Sequence, residues 1–318
     1  MVQISFIIPI YNRPNELREL LDSFTKQYPS DTSFEIIIVE DGSTQTSESV
    51  AQEFEHGLPI KYTQQENTGP GGARNRGAQI ASGEYLHFLD SDTVLPTGFI
   101  KALQSEIYSK RADLYGGPDK AADNFTTIQK AINYSMTSML TTGGIRGNKK
   151  SVDTFYPRTF NMGIKKSTFD LLQGFRPGMR YGEDLDLSMR AIEAGYKSAL
   201  YPEAWLFHKR RVTYEQFFKQ VRHSGRARIV LDEYHPGTLK FVHYLPALYV
   251  ILNFVGVIFL FFIPVLFIYA LMVFIDGTSK MGDATHGAHA VIAMYVQHFG
   301  YGIGFIEEIW NRRIIKKK

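Results

Sequence analysis

The sequence predicts an α/β protein with a mostly parallel sheet and flanking helices, followed by C-terminal transmembrane helices. Short β-branched and aromatic runs, ISFIIPI (4–10), FEIIIV (34–39) and YLHFL (85–89), alternate with segments of helical pattern such as NELRELLDSFTKQ. That alternation is the mark of parallel strands joined by helical crossovers. Each of these runs ends in a polar signature, IPIYNRP, IIVEDGST and FLDSDT. Far downstream, Tyr244 to Ile275 passes 32 residues without a charged side chain, well beyond the roughly 18 to 20 that suggest a membrane span.

The first run opens the chain without a basic leader or a long apolar stretch, so it reads as a strand and not as a signal peptide. The second and third runs are too short and too β-branched for helices. Between residues 1 and 235 there is no internal repeat and no low-complexity linker, which gives one domain over 1–235, with a small mixed subregion around 140–165, and a membrane region over 236–318. The formal charge of +3 on 318 residues is small and interspersed, so nothing indicates a nucleic-acid footprint. There is no cysteine, which excludes disulfides and thiolate metal sites; any metal must sit on oxygen or imidazole.

In open parallel sheets ligands bind at the carboxyl ends of the strands, which is where the polar signatures fall. Asp90 and Asp92, one residue apart in FLDSDT, suit a divalent cation that neutralises a diphosphate; taken alone they suit a turn equally well. Asp41 in VEDGST is placed to hydrogen-bond a base or ribose, or simply to form a turn. The glycine-rich NTGPGGARNRG leads into a helix carrying Arg74, and such loops let backbone N–H groups approach phosphate. In GEDLDLS, Glu183 and Asp184 open a helix. A carboxylate there can take the proton of an attacking hydroxyl, or can merely favour the helix N-terminus.

Together, FIIPIYNRPNELRELLDS, IIIVEDGST, NTGPGGARNRGAQIASGEYLHFLDSD and GEDLDLSMRAIEAGY resemble the family 2 glycosyltransferases, with their nucleotide-diphosphate-sugar binding GT-A fold, over roughly residues 3–230. The resemblance implies a metal-dependent, inverting hexosyltransferase of cell-envelope glycan assembly. It carries Asp41, with Pro9 and Tyr11 beside it, to the nucleoside. Asp90 and Asp92 become the DxD motif, with His208 a further ligand to Mg or Mn. Asp184 becomes the general base beside Glu183. The QxxRW motif of processive members is missing its Trp in FFKQVRHSGRAR, which points to addition of one sugar. Arg222 and Arg226 are left to reach the diphosphate or an anionic headgroup, or to act as a basic juxtamembrane stretch.

The expected partners are a UDP- or GDP-sugar, a lipid-linked or glycan acceptor, polyprenyl phosphate being the alternative acceptor, and membrane lipids. A non-catalytic scaffold that kept the fold is the competing class, and a nucleotidyltransferase a further one. Spans are expected at about 244–275 and 288–306; the long run, at about 1.5 Å per residue, exceeds the bilayer core and must tilt, kink or fold back near Pro264. Basic residues before the first span and after the second, Lys316 to Lys318 among them, put both ends in the cytoplasm, on the inner membrane. The alternative for the long run is a buried helix of a soluble protein. His286, His289 and His298 are read as packing or headgroup contacts.

Overall fold

The apolar runs form strands because their β-branched and aromatic residues fit a pleated surface covered on both faces. The structure, a computed structural model, describes residues 3–27, 33–120, 125–142, 155–259 and 262–315. In chain order the elements are β1 (Ile4–Ile10), α1 (Pro14–Thr25), β2 (Phe34–Asp41), α2 (Glu48–Phe54), β3 (Ile60–Gln65), α3 (Pro70–Ile80), β4 (Tyr85–Leu89) and β5 (Thr93–Val94). There follow α4 (Phe99–Lys110), β6 (Leu114–Gly116), β7 (Asp119–Lys120), α5 (Thr127–Thr137), α6 (Met139–Thr142), β8 (Asn161–Lys165), α7 (Lys166–Leu171), α8 (Glu183–Glu193), β9 (Ser198–Leu200) and β10 (Leu206–His208). The chain ends in α9 (Tyr214–Tyr234), α10 (Leu245–Phe259), α11 (Ile263–Met281) and α12 (Ala284–Ile309). Contacts divide it into two compact units, Met1–Lys120 with Asp153–Lys209, and Ala121–Val152 with Arg210–Lys318. The sequence reading drew its boundary at 235; α9, grouped there with the N-terminal domain, belongs with the C-terminal helices.

The first unit is built on a seven-stranded sheet of order β3-β2-β1-β4-β8-β6-β9. β3, β2, β1 and β4 are mutually parallel, β8 runs antiparallel to β4 and β6, and β9 is parallel to β6. A three-stranded sheet, β5-β10-β7, lies beside the ends of these strands. The period-two alternation of β1 sorts its side chains to two cores. Ile4, Phe6 and Ile8 pack with Leu17, Leu20 and Phe24 of α1 and Leu103 of α4, while Ile7 packs with Ile37, Val39, Ala73 and Phe175. Gly77 of α3 lets that helix lie against the sheet, since a Cβ there would stand 2.4 Å from Ile7 Cγ2. Between the layers, His87 is fully buried and bonded to Asn161 at 3.1 Å; burial pushes its imidazole down to about 3, so it is a neutral core residue.

In the second unit α12 is the central helix. Gly300 and Gly304 bring it against α9: a Cβ at Gly304 would lie 2.1 Å from Arg222 O, and one at Gly225 of α9 2.1 Å from Tyr301 O. Polar residues of α12 are bonded internally, Ser135 Oγ donating to Gln297 at 2.6 Å and Tyr269 Oη lying 2.8 Å from His298 Nε2. His289 meets Tyr214 Oη at 2.8 Å and His286 meets Asp283 at 2.6 Å. The long apolar run is two helices, with Pro264 in the first turn of α11, where its missing N–H costs nothing. Among the described residues one helix, Ile263–Met281, is long and apolar enough to cross a membrane; Leu245–Gly256 is apolar but shorter. The second expected span, 288–306, falls within α12, whose glycines and polar side chains are used for packing on neighbouring helices. Lys316 to Lys318 and residues 143–154 lie outside the described residues.

Candidate active site

The ends of β1, β2 and β4 and the start of α8 assemble one polar cluster in the first unit. β4 ends at Leu89 and delivers Asp90 and Asp92; β10 delivers His208. One ligand atom from each of Asp90, Asp92 and His208 lies within 4.8 Å of the others. Asp92, 5 % exposed, accepts from Arg13 Nη1 at 3.0 Å and lies 3.3 Å from His208 Nε2. The His208 ring stacks on Phe160, centroids 4.9 Å apart, and the Asp119 carboxylate stands 3.7 Å from Nδ1. Two carboxylates and an imidazole, with a further carboxylate 3.7 Å behind the ring, are a donor set that suits Mg²⁺ or Mn²⁺.

Arg74 ties this group to α8. Its guanidinium, almost fully buried, donates to Asp90 at 2.7 Å and to Glu183 at 3.0 Å. Gly182 caps α8 at φ 78°, a left-handed conformation that disfavours any side chain, and sets Glu183 and Asp184 in the first turn. The two carboxyls part in character. Burial and the neighbouring Asp184 charge push Glu183 up to about 6. Burial would raise Asp184 as well, but Arg158, whose Nε donates to Oδ2, holds it below the usual carboxylate range.

Asp41 lies at the end of β2, 4 % exposed. Its carboxylate accepts from Thr68 N and Gly69 N, both at 2.9 Å, and from Gln65 Nε2 at 2.7 Å. It therefore shapes the glycine-rich loop that precedes α3. Pro9 lies within β1 in register with Val39, and Tyr11, just past the strand, is 53 % exposed. Arg222 and Arg226 belong to α9 in the second unit, where both donate to Glu307.

The structure thus brings together Asp90, Asp92, His208, Arg74, Glu183 and Asp184, and it adds Arg13, Arg158 and Asp119, which sequence reasoning passed over. Arg13 had a signal, since it closes the YNRP turn at a strand end. Arg158 had none, lying in a stretch without periodicity just past residues 143–154.

Residues 5–172, just over half of the chain, match the family described as glycosyl transferase family 2, and the chain belongs to that family. It is 39 % identical over 116 residues to the glycosyltransferase GlyA of Streptococcus pneumoniae, covering 36 % of this chain and 16 % of that protein. It is 33 % identical over 116 residues to the poly(ribitol-phosphate) β-N-acetylglucosaminyltransferase TarS of Staphylococcus aureus, covering 36 % and 20 %. The matched region is less than a third of either relative. Among solved structures it is similar to the mannosyltransferase PcManGT of Pyrobaculum calidifontis in complex with GDP-Man and Mn²⁺, at TM-score 0.64 and 14 % identity, over 98 % of this chain and 88 % of that one. TarS 1–349 in complex with UDP-GlcNAc is similar at TM-score 0.51 and 17 % identity, over 98 % and 92 %. At these identities the likeness establishes the fold, which is GT-A-like.

Proposed function

We propose that this chain is an inverting glycosyltransferase that moves one sugar from a nucleotide-sugar to an acceptor at the cytoplasmic face of a membrane. The observation that carries the reading is the meeting of Asp90, Asp92 and His208 at the strand ends with the Glu183–Asp184 helix start, linked through Arg74. Asp90, Asp92 and His208 would hold a divalent cation. Bound there, the cation supplies charge neutralisation to the departing diphosphate.

The protein's own residues do the rest. Arg13 holds the Asp92 carboxylate in place. Arg74 fixes Asp90 and Glu183 from one buried guanidinium, so the spacing between diphosphate and acceptor sides is set before substrate binds. Asp184, with Glu183 beside it, takes the acceptor hydroxyl proton as that oxygen attacks the sugar carbon. A UDP- or GDP-sugar donor is supported by the ligands of TarS and PcManGT, and a lipid-linked acceptor by the apolar surface of the second unit. Transfer to a polyprenyl phosphate is a second reading. It is favoured by the Arg158 contact, which makes Asp184 a weak base, because an acceptor that is already an anion needs none.

The test is nucleoside diphosphate release by detergent-solubilised protein with Mn²⁺ or Mg²⁺ across a panel of nucleotide-sugars, beside Asp92→Ala and Asp184→Ala. Release from one donor that requires the metal and both aspartates establishes the transferase. Full turnover of Asp184→Ala on added lipid phosphate selects the second reading. No turnover of any donor returns the scaffold to first place.

A further inference from the structure

The helices of the second unit meet in an order that bears on how this chain meets a membrane. Along α12, Gly287 faces Phe274 and Thr278 of α11, and Ala290 faces Gly277. Further along, His298 meets both Tyr269 of α11 and Tyr249 of α10, the latter with ring centroids 5.0 Å apart. Gly302 then faces Pro246 and Val250, and Phe305 meets Tyr244. The C-terminal part of α11 and the N-terminal part of α10 therefore lie one after the other along α12. Beyond Tyr249 and Tyr269, whose rings are 5.9 Å apart, residues 250–259 and 262–268 leave α12 as a stem. The two helices still touch within it, because a Cβ at Gly256 would be 3.5 Å from Phe262 Cβ.

The stem is short. From Val250 to Phe259 an α-helix rises about 14 Å, roughly half of the ~30 Å hydrocarbon core. Its surface is apolar and bare: Ile251, Phe254, Phe267 and Ile268 are 49, 65, 66 and 55 % exposed. Leu248 and Leu271, where the helices join α12, are 46 and 43 % exposed. Polar groups gather beyond the base of the stem, with Lys240 before α10 and Asp276 and Lys280 paired at the end of α11.

Sinking α11 over its full length would take α12 and α9 with it. At the level of α12 residues 287–298 lies the start of α9, where Tyr214 reaches His289. Glu215 and Lys219 stand there with side chains 76 and 65 % exposed. A charge carried to the bilayer centre is costly. The stem alone carries none.

We infer that the second unit is monotopic: the α10–α11 stem enters the acyl chains of one leaflet and returns on the same side, while α12 and α9 stay at the headgroup level and nothing crosses. The inference rests on the membrane part of the proposed function and replaces the two-crossing topology expected from sequence. The occupant of the apolar surface is lipid, and Lys240 at the base of the stem suits an anionic headgroup.

The chain has no cysteine, so single cysteines report sidedness without background. Lys101→Cys, Lys240→Cys, Ile263→Cys, Ser279→Cys and Asn311→Cys are made in the full chain. Each is labelled with a membrane-impermeant maleimide in inverted and in right-side-out membrane vesicles from producing cells. The expected result is labelling of Lys101→Cys, Lys240→Cys, Ser279→Cys and Asn311→Cys in inverted vesicles alone, within twofold of the detergent-treated control. Ile263→Cys is expected to label in neither orientation until detergent is added. Labelling of Ser279→Cys only from the face opposite Lys240→Cys means one crossing between them, and labelling of Ile263→Cys only from that face means a hairpin that spans; either overturns the monotopic inference and leaves the membrane reading standing. Protein that stays in the supernatant after lysis and does not float with phosphatidylethanolamine–phosphatidylglycerol vesicles overturns both.

Discussion

Arg74→Met removes the cation shared by Asp90 and Glu183, and the structure sets both the size of the loss and its pH dependence. Stripping one partner from a buried ion pair costs about 3–5 kcal/mol when the remaining charge cannot escape. Asp90 is a third exposed and can be solvated, whereas Glu183 is 8 % exposed and escapes by taking a proton. Because Glu183 already sits at about 6, protonating it costs about 3 kcal/mol at pH 8 and almost nothing at pH 6, at ~1.4 kcal/mol per unit. A carboxyl whose folded value is raised contributes stability that is fully present below its unfolded value, near 4.5, and is lost as pH rises through the folded value. Wild type therefore loses this contribution between about pH 4.5 and 6, and Arg74→Met, with Glu183 pushed higher still, goes on losing it above pH 6. The expected penalty of Arg74→Met is about 3 kcal/mol at pH 8, shrinking to about 1 at pH 6. Urea unfolding followed by fluorescence reports on the first unit alone in a Trp310→Phe background, since Trp205 is then the single tryptophan. Glu183→Gln in the same chain should recover about 2 kcal/mol of the loss at pH 8 and flatten its pH dependence. An equal penalty at pH 6 and pH 8, or no recovery in the double variant, refutes this account of the Arg74 bridge.

Three further outcomes are expected. His208→Ala raises the Mn²⁺ concentration needed for half-maximal nucleoside diphosphate release about tenfold or more, since losing an outer-sphere partner alone costs 10–100-fold; an unchanged metal titration removes His208 from the ligand set. Glu35 is buried, which opposes its charge, yet Lys61 at 2.6 Å, Ser5 and Ser82 together hold it down to about 2. It should supply up to about 3 kcal/mol at neutral pH that is lost as pH falls from about 4.5 toward 2, and Glu35→Ala should show a weaker acid transition in the Trp205 signal. Gly304→Ala places a methyl where Arg222 O stands 2.1 Å away and forces α9 from α12. The expected cost is about 1–3 kcal/mol, read as a lowered melting temperature in detergent.

Strands β1, β2 and β4 were legible because each is a short run buried on both faces, so composition alone marks it, whereas β3, which has no fully buried residue, was passed over. The candidate metal triad was half legible: Asp90 and Asp92 stand together at a strand end, while His208 came only through resemblance, since it lies 116 positions beyond Asp92 and no periodicity connects them. Arg158 was illegible for the same reason, its role being set by where the chain returns to the sheet. The C-terminal helices were legible only in part: one of them, Ile263–Met281, is long and apolar enough to cross a membrane. Hydropathy counts apolar residues along the chain but cannot say which of them a neighbouring helix covers, and α12 spends its glycines, Gln297 and His298 on neighbours inside its unit.

Asp41 shows where a motif stops being informative even when its position is right. The strand end was read correctly, and the residue does stand at it. A carboxylate there has lone pairs to direct either outward to a nucleoside or inward to the chain. Thr68 N, Gly69 N and Gln65 Nε2 already meet its two oxygens. A charged acceptor facing several donors is held by them strongly, so the glycine-rich loop is fixed in place by Asp41 before any ligand arrives. Residue type and spacing locate such a group, but the direction of its hydrogen bonds is decided by a loop that follows 24 to 28 residues later.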